Sequence, residues 1–416
     1  APASSSAQVP TGIASVDSAS VARAAYGRAA RTNDPAAARL EIDRAARAWP
    51  TQPAYVWARA LLAARAGDTA TAISALGDYA DLSVGRDLRA SPDLKSLATL
   101  PAFARVESRH AANRLPMQRS RVVATLADSS IWPEGMDHDS RSGMYYIASI
   151  QHGTVVAVTR SGAVTNLWSR DSLNVGAVLA VRVDTARNAL WVTTSGMPDY
   201  EGRVPSDSTL ASLLRIRLPD GKIEQRWDLP VVDRGHILGD VAIGAHGDVF
   251  FSDSNHPVVY WLKPGADVLD SIRSPLFNSA QGLAPTPDGR TLYIADYSHG
   301  LIRMDLATSQ LHRVSDAPHS TTLGFDGIVW HKGSLIAIQN GIAPARVVRL
   351  YLAANGRAIE RVEVIDQNPL ADEPTIGTIV RNEFVYVANS QWEKRDASGK
   401  AKVRLTGPLL LGVPLK

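Results

Sequence analysis

Five histidines, His152, His236, His256, His299 and His319, share one kind of position in this chain, alongside several carboxylates and amides. Each lies just before the first, or just after the second, of two apolar strands in a recurring unit. Glu134, His236, Gly239, Asp240, Gln281, His319 and Asp326 come before a first strand. His152, Asn255, His256, His299, Asn340, Asn389, Gln391 and Trp392 follow a second strand. Imidazoles gathered in one concave place could relay protons or bind a metal. Hydrogen bonding of each ring to nearby loop backbone is the plain alternative. Asp253 and Asp296 end second strands as Ser-Asp-Ser and Ala-Asp-Tyr, which suits capping of the following turn. With no cysteine, the chain can form neither a disulfide nor a thiolate metal site, and it has no cysteine nucleophile. It also lacks a glycine-rich phosphate loop, a His-Glu-x-x-His helix and a Gly-x-Ser-x-Gly elbow, and Ser195 has no evident base.

The elements that would position these residues come from a repeat. Its clearest copies are Gln281-Gly-Leu-Ala-Pro-Thr-Pro-Asp-Gly-Arg-Thr-Leu-Tyr-Ile-Ala-Asp296 and Gly239-Asp-Val-Ala-Ile-Gly-Ala-His-Gly-Asp-Val-Phe-Phe-Ser-Asp253, with looser copies from Glu134, Leu179, Asp326 and Glu373. Marked by Gly135, Val181, Val241, Leu283, Gly327 and Thr378, the steps are 46, 60, 42, 44 and 51 residues. That is the length of a four-stranded propeller blade and too long for a solenoid rung. β-Branched and aromatic runs bounded by Asp-Gly and Gly-Asp turns indicate strands. In a propeller, residues before each first strand and after each second strand converge on one rim, whereas turns such as Pro287–Arg290 lie opposite. Arg121–Leu126 and Pro408–Leu415 read as strands that close the ring within the sixth blade, leaving no open edge.

Upstream, residues 16–117 read as helices. Alanine is abundant and Val21, Ala24, Ala25 and Ala29 follow helical spacing. Asn33-Asp34-Pro35 supplies a cap and a first-turn proline. The segments Ala37–Arg47, Tyr55–Ala64 and Thr69–Tyr79 resemble tetratricopeptide hairpins, either packed as a cap on the propeller or forming a groove for a protein partner. The expected organisation is a flexible N-terminus over 1–15, a tetratricopeptide-like helical domain over 16–117 and a six-bladed β-propeller over 118–416. The fold class is mainly β. Residues 1–117 carry 14 basic and 10 acidic side chains and the remainder 30 and 31, so no concentrated basic patch marks a nucleic-acid binder. No apolar run reaches the length of a membrane span. The Ala-Pro-Ala-Ser-Ser-Ser start resembles a mature end left by signal removal, pointing to a periplasmic or secreted protein, lipid-anchored or free; a trimmed cytoplasmic chain would look the same.

Pro133-Glu-Gly135, Gln281-Gly-Leu-Ala, Phe325-Asp-Gly-Ile328 and Tyr386-Val-Ala-Asn-Ser390 together resemble the senescence-marker-protein/gluconolactonase family of six-bladed propellers over residues 120–416. The resemblance implies a divalent metal, calcium foremost, at the channel mouth. It would be held by Glu134, by Asp326 and by Gln281, which stands where the family has an asparagine. A substrate-contacting asparagine of the family falls on Gly239, with Asp240 beside it. Two carboxylates, an amide oxygen and waters suit a hard ion. Without the ion, Glu134 and Asp326 would repel and one would hold its proton more tightly.

The leading expectation is therefore a metal-assisted hydrolase of a small ester or lactone. Asp326, His236 or His256 would relay the proton, and Asp240, Asn340, Trp392, His152, His299 and His319 would contact the substrate. A non-catalytic binding or scaffold protein, using the helical head and the rim, is the alternative, favoured by the departures at Gln281 and Gly239. A lyase-type activity has nothing in the sequence to select it. The excursion from Met197 to Ser212, with Tyr200, Glu201 and Arg203, leaves from the rim side and reads equally as a lid or as an extended hairpin.

Overall fold

Each apolar strand pair of the repeat forms the inner half of a four-stranded antiparallel blade, and six blades close a ring in the computed structural model. The structure describes residues 8–9, 18–159, 162–168, 175–197, 210–218 and 220–415. The expected lid at Tyr200, Glu201 and Arg203 lies outside the described residues. The inner strands are Pro133–Asp139, Ala177–Asp184, Val241–Ile243, Ala280–Pro285, Phe325–His331 and Gly377–Val380. Each meets the next around the axis, and the sixth meets the first. Six apolar clusters form the core, one between each neighbouring pair of blades. Alternate residues of each strand enter the cluster on either side, as in Phe250 and Phe251, which face blades four and two respectively. Gln8–Val9 adds a short parallel strand to the outer edge of blade three.

Closure follows the sequence expectation. Arg121–Thr125 pairs antiparallel with Leu409–Pro414, so the outermost strand of blade six comes from the opposite end of the propeller sequence. Val385, Val387 and Leu410 of that blade then pack against Met136 and Ile147 of blade one.

The head consists of α1 (Ser18–Arg31), α2 (Pro35–Ala48), α3 (Pro53–Arg65), α4 (Thr69–Asp81) and α5 (Pro101–Asn113), with a 3-10 turn over Pro92–Leu97. Asp34 caps α2 by accepting from the Ala36 amide, and Pro35 occupies the first turn. Helices α1 and α2, and α3 and α4, pack as two hairpins. The head docks on the propeller through a mixed seam. Trp49 donates to Asp316 at 2.9 Å, the Arg313 guanidinium lies 4.3 Å above the Trp49 ring, and Leu323 joins the Trp49–Tyr55 cluster. Arg346, 3% exposed, reaches the Ser83 carbonyl at 2.6 Å. Ile342 packs beside Val56, Tyr79, Leu82 and Val84. No helix among the described residues is long and apolar enough to cross a membrane.

Candidate functional site

The channel mouth is shaped by a local fault in the inner strands. Strand register shifts between Pro133 and Met136, between Ala280 and Leu283, and between Phe325 and Ile328. Glu134, Gln281 and Asp326 sit within those three bulges, each followed by glycine. A bulge re-aims a side chain that regular alternation would place elsewhere. The glycine lets the next inner strand approach: a Cβ on Gly282 would stand 2.4 Å from the Asp326 carbonyl oxygen and 2.5 Å from the Ile328 nitrogen. Gly135 and Gly327 meet the backbone of their neighbours in the same way.

These three side chains line one cavity of about 520 Å³, with Asn340, Tyr297, Trp392, Glu373 and Glu393. Glu134 Oε2 accepts from Trp392 Nε1 at 2.7 Å and from Ser390 Oγ at 2.8 Å. Trp392 is braced edge-on by Trp132, with ring centres 4.5 Å apart. Asp326 Oδ2 accepts from Asn340 Nδ2 at 2.7 Å, and the same amide nitrogen donates to the Pro374 carbonyl at 2.8 Å. Gln281 donates from Nε2 to Ser279 Oγ at 3.1 Å. Burial, followed by the charge of Asp326, pushes the Glu134 carboxyl well above its usual range. Burial likewise raises Asp326, Asn340 opposes the shift, and the charges of Asp240 and Glu373 add to it. Tyr297 is pushed up to about 12, chiefly by burial.

The donor set fits a hard cation. Asn340 Oδ1 is buried and accepts no hydrogen bond, although its nitrogen is fully used. A cation shared with Glu134, Asp326 and Gln281 would satisfy it. Among the described residues, the lining contains four carboxylates and no lysine, arginine or histidine.

Several expected site residues lie elsewhere. Asp240 occupies the place that glycine takes in blades one, four and five and Ala180 takes in blade two. Its carboxylate accepts from Leu283 N and Val241 N, both at 2.8 Å, and lies 3.6 Å from Arg182, tying blade three to its neighbours. Burial pushes it up to about 6 against the pull of Arg182. His236 and His256 flank Asp253 beside the connection into blade three, outside the cavity lining. His152 bonds Ser130 in the loop before blade one, and His299 bonds the Leu276 carbonyl. His319 is exposed and lies near Asp78 of the helical head, whose carboxyl burial holds above its usual range. None of these three lines the cavity.

Tyr297, Glu373 and Glu393 were not singled out from the sequence, although each has a rim signal. Tyr297 follows Asp296 at the end of a second strand, Glu373 opens the sixth repeat, and Glu393 follows Trp392. The loop Ile342–Ala345 completes one wall, and the Ala343 carbonyl accepts from Gly85 N of the helical head at 3.4 Å. The head is thus a packed support for the site wall.

Comparison with solved structures finds similar chains. One is a gluconolactonase from Xanthomonas campestris, 17% identical over 74% of this chain and 93% of its own, with a TM-score of 0.48. Another is regucalcin, a calcium-binding protein from Agrobacterium tumefaciens, 14% identical over 71% of this chain and 96% of its own, TM-score 0.49. Virginiamycin B lyase from Staphylococcus aureus is 15% identical over 65% of this chain and 81% of its own, TM-score 0.45. This chain is similar to gluconolactonase-like propellers in fold. No protein-family model and no curated protein matches it. At these identities the likeness concerns fold, which the blade topology establishes independently.

Proposed function

We propose that the cavity binds a divalent cation, calcium foremost, and hydrolyses a small ester or lactone. The observation that carries this reading is the convergence of Glu134, Gln281, Asp326 and the unpartnered Asn340 Oδ1 on one cavity. A bound hard cation would supply positive charge that polarises an ester carbonyl. Glu134 is kept in place by Trp392 and Ser390, and Asp326 by Asn340. Asp326 takes the proton of the attacking water, because no imidazole lines the cavity among the described residues. Trp392 and Tyr297 give the acyl or lactone portion an apolar face, and the cavity has room for a small substrate. The choice of ester or lactone rests on the sequence resemblance.

The binding-protein alternative drew on Gly239 and Gln281. Their mutual fit weakens it: the end of the longer amide lies where a side chain at position 239 would begin. A role for the helical head in recruiting a protein partner would have to use surfaces other than the seam with blades four and five. The test is calcium-dependent turnover of a panel of aryl esters and five- and six-membered lactones. Asp326→Ala should abolish turnover with the fold retained, and unchanged turnover in that variant removes the mechanism.

A further inference from the structure

Blades three and four carry the same turn at the end of the second strand, an aspartate followed three residues later by histidine, and they use it differently. In blade four, Asp296 is saturated by backbone: Oδ2 accepts from Asn278 N and Ser279 N, and Oδ1 from Ser298 N and His299 N. In blade three, Asp253 Oδ1 accepts from Ile237 N and Asn255 N, while Oδ2 is held 2.6 Å from Nδ1 of His236. His236 stands where blade four has Asn278, since both lie three residues before the equivalent pair Gly239 and Gln281. Blade three therefore has two imidazoles around a carboxylate oxygen that its sister blade gives to main-chain amides.

The outer nitrogens of both rings are fixed. His236 Nε2 lies 2.8 Å from the Pro230 carbonyl, and His256 Nε2 lies 2.8 Å from the Gly235 carbonyl. A carbonyl only accepts, so each Nε2 carries the proton and each neutral ring keeps its lone pair on Nδ1. Backbone carbonyls orient metal-binding histidines in this way. On His236 that lone pair points at a carboxylate oxygen, a contact that needs a proton or a cation between them. One nitrogen of each ring and one Asp253 oxygen lie within 4.8 Å of one another. His236 and Asp253 are buried, and His256 is partly exposed, which leaves a way in.

We propose that His236, Asp253 and His256 form a second metal site, for a borderline transition ion such as zinc, separate from the oxygen-lined cavity. Two nitrogens and one carboxylate oxygen with an open fourth position are a zinc-type set, whereas the cavity donors are all oxygen. Ligand atoms about 2.0–2.1 Å from zinc stand roughly 3.3 Å apart, so the 2.6 Å His236–Asp253 contact opens slightly and His256 draws inward. The ion would pin the connection from blade two, which contains Pro230 and Gly235, to the turn of blade three.

The test is titration of the metal-free protein with Zn²⁺ by calorimetry and with Co²⁺ by visible absorption, in wild type and in a Glu134→Gln background that cripples the cavity. His236→Asn copies the residue of blade four and so should keep the fold; His256→Ala is the second variant. The expected result is one zinc, and a tetrahedral cobalt band, retained in Glu134→Gln. Affinity should fall at least about tenfold in both histidine variants, in line with loss of a ligand. Absence of zinc binding in Glu134→Gln, or binding unchanged in folded His236→Asn, overturns the proposal.

Discussion

Gln281 occupies the space that a side chain at position 239 would need: a Cβ built on Gly239 would stand 2.9 Å from Gln281 Oε1. The two positions that depart from the family pattern therefore depart together. An amide longer by one methylene reaches across from blade four, and blade three gives way with a glycine. The expected outcome is non-additive mutagenesis. Gly239→Asn alone should weaken calcium binding about tenfold by displacing Gln281, and Gln281→Asn in that background should recover most of it. A double-mutant cycle by calorimetry should give a coupling energy of about 1–3 kcal/mol, and additive effects would contradict the steric account.

The pair Glu134 and Asp326 gives a pH prediction. Burial raises both carboxyls above their unfolded values, helped by the charge of Asp326 at Glu134 and by those of Asp240 and Glu373 at Asp326, so the folded protein binds more protons than the unfolded chain between the unfolded and folded values. Their contribution to stability is full below the usual carboxylate range and is lost as pH rises through the raised folded values. Without divalent cation, Tm should fall as pH climbs from about 5 towards 8, and Asp326→Asn should flatten that slope. Saturating calcium should also flatten it, which differential scanning calorimetry across the pH range can read.

Gly282 makes the bulge of blade four compatible with blade five. Gly282→Ala would force its Cβ against the Asp326 carbonyl and the Ile328 nitrogen, both backbone atoms that cannot swing aside. Urea unfolding should show a loss of about 1–3 kcal/mol, the usual cost of overpacking, with calcium binding weakened as Asp326 shifts.

Ring closure depends on five residues far from the rest of their blade. Deleting 118–125 should expose the edge of Leu409–Pro414 and uncover Val385 and Leu410 beside blade one. A loss of about 10 °C or more in Tm, or aggregation on expression, is expected, measured against deletion of residues 1–7.

The sequence made the architecture legible because blade length, strand alternation and turn chemistry all repeat. It also placed the closing strands to within one residue at every end: the expected Arg121–Leu126 is Arg121–Thr125, and Pro408–Leu415 is Leu409–Pro414. The site was only partly legible. Glu134, Gln281 and Asp326 came through resemblance, and their bulges were hidden because a bulge breaks the very alternation by which strands are recognised. The histidines show the limit of a rim rule. It locates the end of a strand without saying whether a side chain turns inward or along the loop, and His236 and His299 turned to backbone carbonyls. Asp240 was misplaced for a related reason, since its carboxylate bonds the next inner strand at Leu283 N. Tyr297 and Glu373 lie within the repeat, but neither matches a residue that the resemblance marks for chemistry.

The most direct test is calcium titration of metal-free wild type, Glu134→Gln and Asp326→Asn by isothermal calorimetry, with unfolding temperatures measured alongside. Wild type should bind one calcium, and each folded variant should bind it at least about a hundredfold more weakly, from loss of a charged ligand. Calcium bound equally well by folded Asp326→Asn, or not at all by wild type, would contradict the proposed cation site.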